Sequence, residues 1–304
     1  MTRVRAVYDA VEVPGAVPPY ATAHVVVHYP AVGADGDPTL GIVAPDPSYV
    51  PLPVVLLAGN FNCPPELYAW LAKRLARRGC AVVTWTWVTP LFGGRPGLST
   101  GIDLSAVTPS TFDSRVPSVL LPALLDHLPS VADVGPSLDL SRVVLGGHSA
   151  GGTTALLCSA WLGAPAFSYG GHTRTQVPQG FGEEHYLSLG EGPPLLLLGG
   201  REDGIGDAIA RQQVGVLAPG HPMALTAQRA VPPSRRCWTV LLDGANHYSM
   251  CQGYDGTSGR GYLEGAASGD QAAVRDRIGD LVEAFLKVVL DGAAPSALDQ
   301  AASS

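Results

Sequence analysis

The chain has 304 residues and a formal net charge of −7, with only 15% charged residues against 46% hydrophobic ones. It contains no Lys/Arg run or basic stripe of the kind a phosphate backbone requires, which argues against nucleic acid as a partner. The opening MTRVRAVYDAVEVPG lacks the apolar core of a signal peptide, and no apolar run reaches the about 18 residues of a membrane span, so a soluble, cytoplasmic protein is expected.

In chain order, VRAVYDAVEV and ATAHVVVHYP alternate with period 2 across the turn-rich PGAVPPY and predict an antiparallel strand pair. A Pro/Gly/Asp-rich loop leads to VVLLAG, a short continuous apolar run typical of a strand buried on both faces. PPELYAWLAKRLARRG predicts an amphipathic helix, with prolines at its first turn and Gly79 past its end. CAVVTWTW then reads as a strand, SRVPSVLLPALLDHL as a helix despite Pro117 and Pro122, RVVLGG as a strand and AGGTTALLCSAWL as a helix. AFSYGG, PPLLLLGG and RCWTVLLDG predict three more strands, and DQAAVRDRIGDLVEAFLKVVLDG a closing helix capped by Asp270 and Gly292. Strands alternating with helices imply a mostly parallel sheet flanked by helices, in one α/β domain over residues 1–292. The segment from 204 to 236 carries no clear period, and AAPSALDQAASS, residues 293–304, is expected to be a disordered tail.

The stretch RVVLGGHSAGGTTAL contains Gly-x-Ser-x-Gly around Ser149. With 37 glycines in the chain that pattern arises about 0.3 times by chance, so the five letters alone decide little. Their context is more specific, because a nucleophile elbow needs a strand, a turn too tight for flanking side chains and a helix behind it. RVVLGG supplies the strand, Gly147 and Gly151 the close packing, and Ala150 opens a helix whose first amides favour a developing oxyanion.

A serine nucleophile needs a base oriented by a third group. PLLLLGGREDGIGD places Glu202, Asp203 and Asp207 beyond one buried strand, and WTVLLDGANHYSM places His247 beyond the next. Asp207 also precedes DAIARQQV, where it reads as a helix N-cap. His148 beside the serine reads as a packing residue, whereas His172 follows a strand end and is a candidate to face the pocket. Five widely spaced cysteines without C-x-x-C suggest neither zinc nor a disulfide scaffold; Cys237 and Cys251, which flank His247, form the one pair worth considering for a bridge.

Over residues 50–290 the chain resembles the α/β-hydrolase superfamily, through the order Ser149, Asp203, His247 with each residue just past a strand. LYAWLAKRLARRGCAVV, GHSAGG and LDGANHYSM resemble the branch of chlorophyllases, platelet-activating-factor acetylhydrolases and cutinase-like polyester hydrolases. The resemblance implies little or no cap domain, a Ser149–His247–Asp203 triad, and no metal or organic cofactor. It also implies an oxyanion hole after the third strand, where AGNFNCPP departs from the usual His-Gly or Pro-Gly. Counting from Gly59 selects the amide of Asn60, and counting back from Leu67 selects that of Phe61, which is favoured; Ala150 is the second donor.

Trp85, Trp87 and Tyr169, with Phe61 and Phe181, stand near strand carboxyl ends and are expected to line a pocket suited to an apolar or aromatic ester. The expected function is a carboxylic ester hydrolase acting on a small-molecule ester. The alternatives are an acyltransferase or thioesterase-type cyclase with the same triad, or a non-catalytic binding protein of the same fold.

Overall fold

The structure, a computed structural model, describes residues 2–32, 43–175, 180–205, 220–254 and 264–303. Its main sheet has eight strands: β1 (Arg3–Glu12), β2 (Thr22–Ala31), β3 (Leu52–Ala58), β4 (Ala81–Thr86), β7 (Leu138–His148), β8 (Ala166–Tyr169), β9 (Leu195–Gly200) and β10 (Cys237–Leu242). They are ordered β1-β2-β4-β3-β7-β8-β9-β10. β1 and β2 pair antiparallel, as do β2 and β4, and all pairs from β4 onward are parallel. A two-stranded hairpin, β5 (Val88–Pro90) with β6 (Pro96–Leu98), was not legible in the sequence.

β3 is buried at all seven positions because helices cover both faces of the sheet, whereas β1, at the edge, alternates with exposed residues. Side chains alternate between two apolar layers, Val54 and Leu56 entering one and Val55 and Leu57 the other. The first layer packs α2 (Leu120–His127), α3 (Ala150–Leu162) and α4 (Pro222–Ala230). The second packs α1 (Ala69–Arg77), α5 (Gln271–Asp291) and α6 (Ser296–Ser303).

Three expectations change. The helix predicted from residue 114 begins only at Leu120, after Pro117, since a proline disfavours helix in the residue before it. α4 lies in the segment that showed no period, with His221 capping its start: Nδ1 of His221 accepts from Met223 N–H at 3.3 Å. The tail after Gly292, expected to be disordered, forms α6: Leu298 is fully buried and Asp299 accepts from the Trp238 indole at 2.7 Å. Among the described residues no helix is long and apolar enough to cross a membrane.

Candidate active site

β7 carries Ser149 to the carboxyl edge of the sheet, and α3 starts at the next residue. Ser149 has φ 53° and ψ −120°, a conformation that a non-glycine residue keeps only when its surroundings impose it. Its N–H donates to Tyr169 O and its carbonyl accepts from Thr153 N–H, both at 2.8 Å. A Cβ on Gly151 would collide with the Ala58 and Gly59 carbonyl oxygens, and one on Gly147 with the Gly151 backbone, so the turn needs glycine on both sides.

His247 follows β10 and is 3% exposed. Its Nδ1 meets Asp203 Oδ2 at 2.8 Å in a pair whose side chains are both buried. Because a carboxylate only accepts, Nδ1 carries the hydrogen and Nε2 presents its lone pair. Nε2 is buried and has no hydrogen-bond partner among the described residues. Burial lowers the His247 pKa, but the charge and hydrogen bond of Asp203, helped by Glu264, outweigh it and leave the pKa above the usual 6.5.

Of the three carboxylates that follow β9, the structure brings Asp203 to His247. Glu202 turns outward to the backbone and hydroxyl of Ser268, and Asp207 lies outside the described residues. Glu264 is a participant that sequence reasoning missed. Its Oε2 accepts from His247 N–H at 3.0 Å and its Oε1 from Gly204 N–H at 2.9 Å, tying the histidine loop to the acid loop. Burial raises its pKa. Nothing in GYLEGAASGD, a stretch without period or motif, signals this role.

Behind the serine runs a buried chain of hydrogen bonds. His148 Nε2 donates to the His247 carbonyl at 2.8 Å, so its Nδ1 is an acceptor for the Tyr68 hydroxyl at 2.9 Å. Tyr68 in turn accepts from Asn60 N–H at 3.1 Å. Burial and the neighbouring His247 push the His148 pKa down to about 3, so it stays neutral. The Asn60 amide is thus committed to Tyr68 and the Phe61 amide donates to Asn60 Oδ1 at 2.8 Å, and both residues line the cavity.

A cavity of about 480 Å³ opens here, lined by Ser149, Ala150, His247, Asn60 and Phe61 together with Ile102, Leu104, Val107, Leu157 and Leu187. His172 also lines it, kept neutral by burial, which lowers its pKa to about 4. The β5–β6 hairpin and the segment after it add Leu91, Pro96 and Ile102 to the lining.

Trp85, Trp87 and Tyr169 do not line this cavity. β4 is separated from β7 by β3, which sets its end about 10 Å from the serine, at two strand spacings. Trp85 packs in the first apolar layer, and the Trp87 indole donates to Tyr20 O at 2.8 Å. Tyr169 points into the second layer and donates to Asn246 O at 2.6 Å. Phe181 stacks on His185. The cysteines are all free, and Cys237 and Cys251 do not approach each other because β10, about 17 Å long, separates them. The Cys251 thiol lies 3.7 Å from His148 Nδ1 instead.

A solved structure of a ferulic acid esterase from Streptomyces cinnamoneus matches with a TM-score of 0.62 over 97% of this chain and 92% of that one, at 18% identity. The fold is that of the α/β-hydrolases. No protein-family model matches the chain, and neither does any curated protein. Ser149, Asp203 and His247 each stand just past the carboxyl end of a strand, β7, β9 and β10 in chain order.

Proposed function

We propose that the chain is a carboxylic ester hydrolase that works through a covalent acyl-serine. One observation carries this reading: the buried His247–Asp203 pair, whose Nε2 is left without a partner in the cavity that Ser149 lines. Nε2 takes the Ser149 proton as Oγ bonds to the ester carbonyl carbon. The carbonyl electron pair becomes an oxyanion held by the Phe61 and Ala150 amides, the carbonyl oxygen replacing Asn60 Oδ1 as acceptor for Phe61. Collapse expels the alcohol, protonated by His247. Water then gives a proton to Nε2, attacks the acyl carbon and releases acid and free serine. Likeness in fold to a ferulic acid esterase supports an ester as substrate.

The test is hydrolysis of p-nitrophenyl esters of graded chain length by the purified chain and by Ser149→Ala. Wild type should show a burst followed by steady turnover. Ser149→Ala should lose about 10⁴-fold or more with its circular dichroism unchanged. Retained turnover in that variant would refute the serine mechanism, and a burst without turnover would point to transfer onto another acceptor.

A further inference from the structure

Arg174 lines the cavity although it is only 8% exposed. Its Nη2 is buried and meets no acceptor among the described residues, and every arginine ion pair among those residues involves another arginine. Thr173 beside it is 1% exposed, lines the same cavity and leaves its Oγ1 without a partner. A buried guanidinium is ordinarily satisfied, and Arg235 shows how this fold does it. At 4% exposure, Arg235 donates to the carbonyls of Pro193, Leu189 and Gly190 and to Ser159 Oγ.

Arg174 is also fixed in place. Leu187 N–H donates to Thr173 O at 2.9 Å and Thr175 N–H to His185 O at 3.0 Å, with an antiparallel bridge between Arg174 and Tyr186. No Asp or Glu is among the described residues that line the cavity, whereas Arg95 adds a second guanidinium at its exposed rim. The described lining of the cavity thus supplies neither an acceptor for Arg174 Nη2 nor a counter-charge for its guanidinium.

We propose that the substrate is an ester that also bears a carboxylate, received by Arg174 with Thr173 as a further donor, its carbons lying along Ile102, Val107, Leu157 and Leu187. A planar guanidinium matches the two oxygens of a carboxylate. A single buried cation among aliphatic walls suits a monoanion better than a phosphate dianion, whose second charge would stay uncompensated there. This inference rests on the ester-hydrolase reading and narrows its substrate.

The test compares kcat/KM within matched pairs. On the acyl side, the mono-p-nitrophenyl ester of adipic acid is set against p-nitrophenyl hexanoate. On the alcohol side, 3-acetoxybenzoate is set against phenyl acetate. Wild type should prefer the charged member by about tenfold or more in one pair, the pair identifying which half of the ester carries the carboxylate. The preference should fall to about one in Arg174→Gln. Equal rates within both pairs, or a preference that survives Arg174→Gln, overturns the proposal.

Should that variant not fold, inhibition of wild-type hydrolysis of a neutral ester by hexanoate against hexanamide replaces it: inhibition by the carboxylate alone supports the proposal, and equal inhibition overturns it. If wild type hydrolyses no ester at all, the hydrolase reading fails separately. Thermal shift of the Ser149→Ala chain with the same acid and amide then decides carboxylate binding: a shift by the acid alone supports it, and equal or absent shifts overturn it.

Discussion

His247 is pulled two ways, and the balance sets a pH dependence. Burial disfavours its cation, while Asp203 and Glu264 favour it and win, so its pKa stands above 6.5. In the proposed mechanism His247 must be neutral to accept the serine proton, and its neutral fraction falls as pH drops through that pKa. Ester hydrolysis should therefore decline on acidification with a midpoint above 6.5, read from the pH profile of kcat/KM. Asp203→Asn removes the larger of the two opposing carboxylates, so the remaining activity should show its acid limb at lower pH, and turnover should fall by about 10⁴. Glu202→Gln, which alters only a surface contact to Ser268, should change turnover less than about twofold. An unmoved limb in Asp203→Asn would remove Asp203 as the partner of the base. Ser149 and His247 could be singled out as candidates because each follows a strand signal within a few residues. Arg174 and Glu264 could not, since each acquires its meaning from segments far away in sequence, the histidine loop for Glu264 and an enclosed cavity for Arg174.

Between elements, the chain from Asn60 through Tyr68 and His148 to the His247 carbonyl joins the loop after β3, the turn before α1, the end of β7 and the loop after β10. Three of the cavity's walls thus share one buried polar line. Tyr68→Phe keeps the ring, which is fully buried, but leaves the Asn60 N–H and His148 Nδ1 without their partner. Each unsatisfied buried group costs about 1–3 kcal/mol, so the midpoint of urea unfolding should drop by an amount equivalent to about 2–6 kcal/mol. An unchanged midpoint would show that these bonds are replaced by others. PPELYAWLAKRLARRG announced a helix correctly through its prolines, apolar period and Gly79, and α1 follows a short 3₁₀ turn there. The sequence could not say that Tyr68 meets a histidine 80 residues on. Strand ends were legible in the same way, but faces were not. Trp85 and Tyr169 both sit at strand ends, and the lateral position of β4 and the alternation along β8 turn them into the two core layers.

At the scale of the whole molecule, the alternation of strands and helices made the parallel part of the sheet legible, because each crossover needs its own apolar helix and each buried strand its own apolar run. Composition misjudged the last residues for a related reason. AAPSALDQAASS offers one large apolar side chain, and an eight-residue helix is marginal in water on its own. Its order therefore comes from a surface that waits for it, and that surface is visible only once the sheet is assembled. Leu298 enters the apolar layer formed with α5, Asp299 receives the indole hydrogen of Trp238 on β10, and Arg277 on α5 donates to the Ala301 carbonyl. A chain ending at residue 294 would uncover the Leu298 site and leave the Trp238 indole without its acceptor. Burying one leucine stabilises by about 1.5–3 kcal/mol. The lost hydrogen bond adds about 1 kcal/mol. Unfolding should thus move to lower urea by an amount equivalent to about 2–4 kcal/mol. α6 packs in the layer on the other side of the sheet from α3, the helix behind Ser149. Initial rates at 25 °C, where the shortened chain stays folded, should accordingly match those of the full chain. A truncation that leaves the unfolding midpoint in place would mean that α6 adds nothing to the fold. One that abolishes turnover in a folded chain would mean that β10 transmits the disturbance to His247 at its far end.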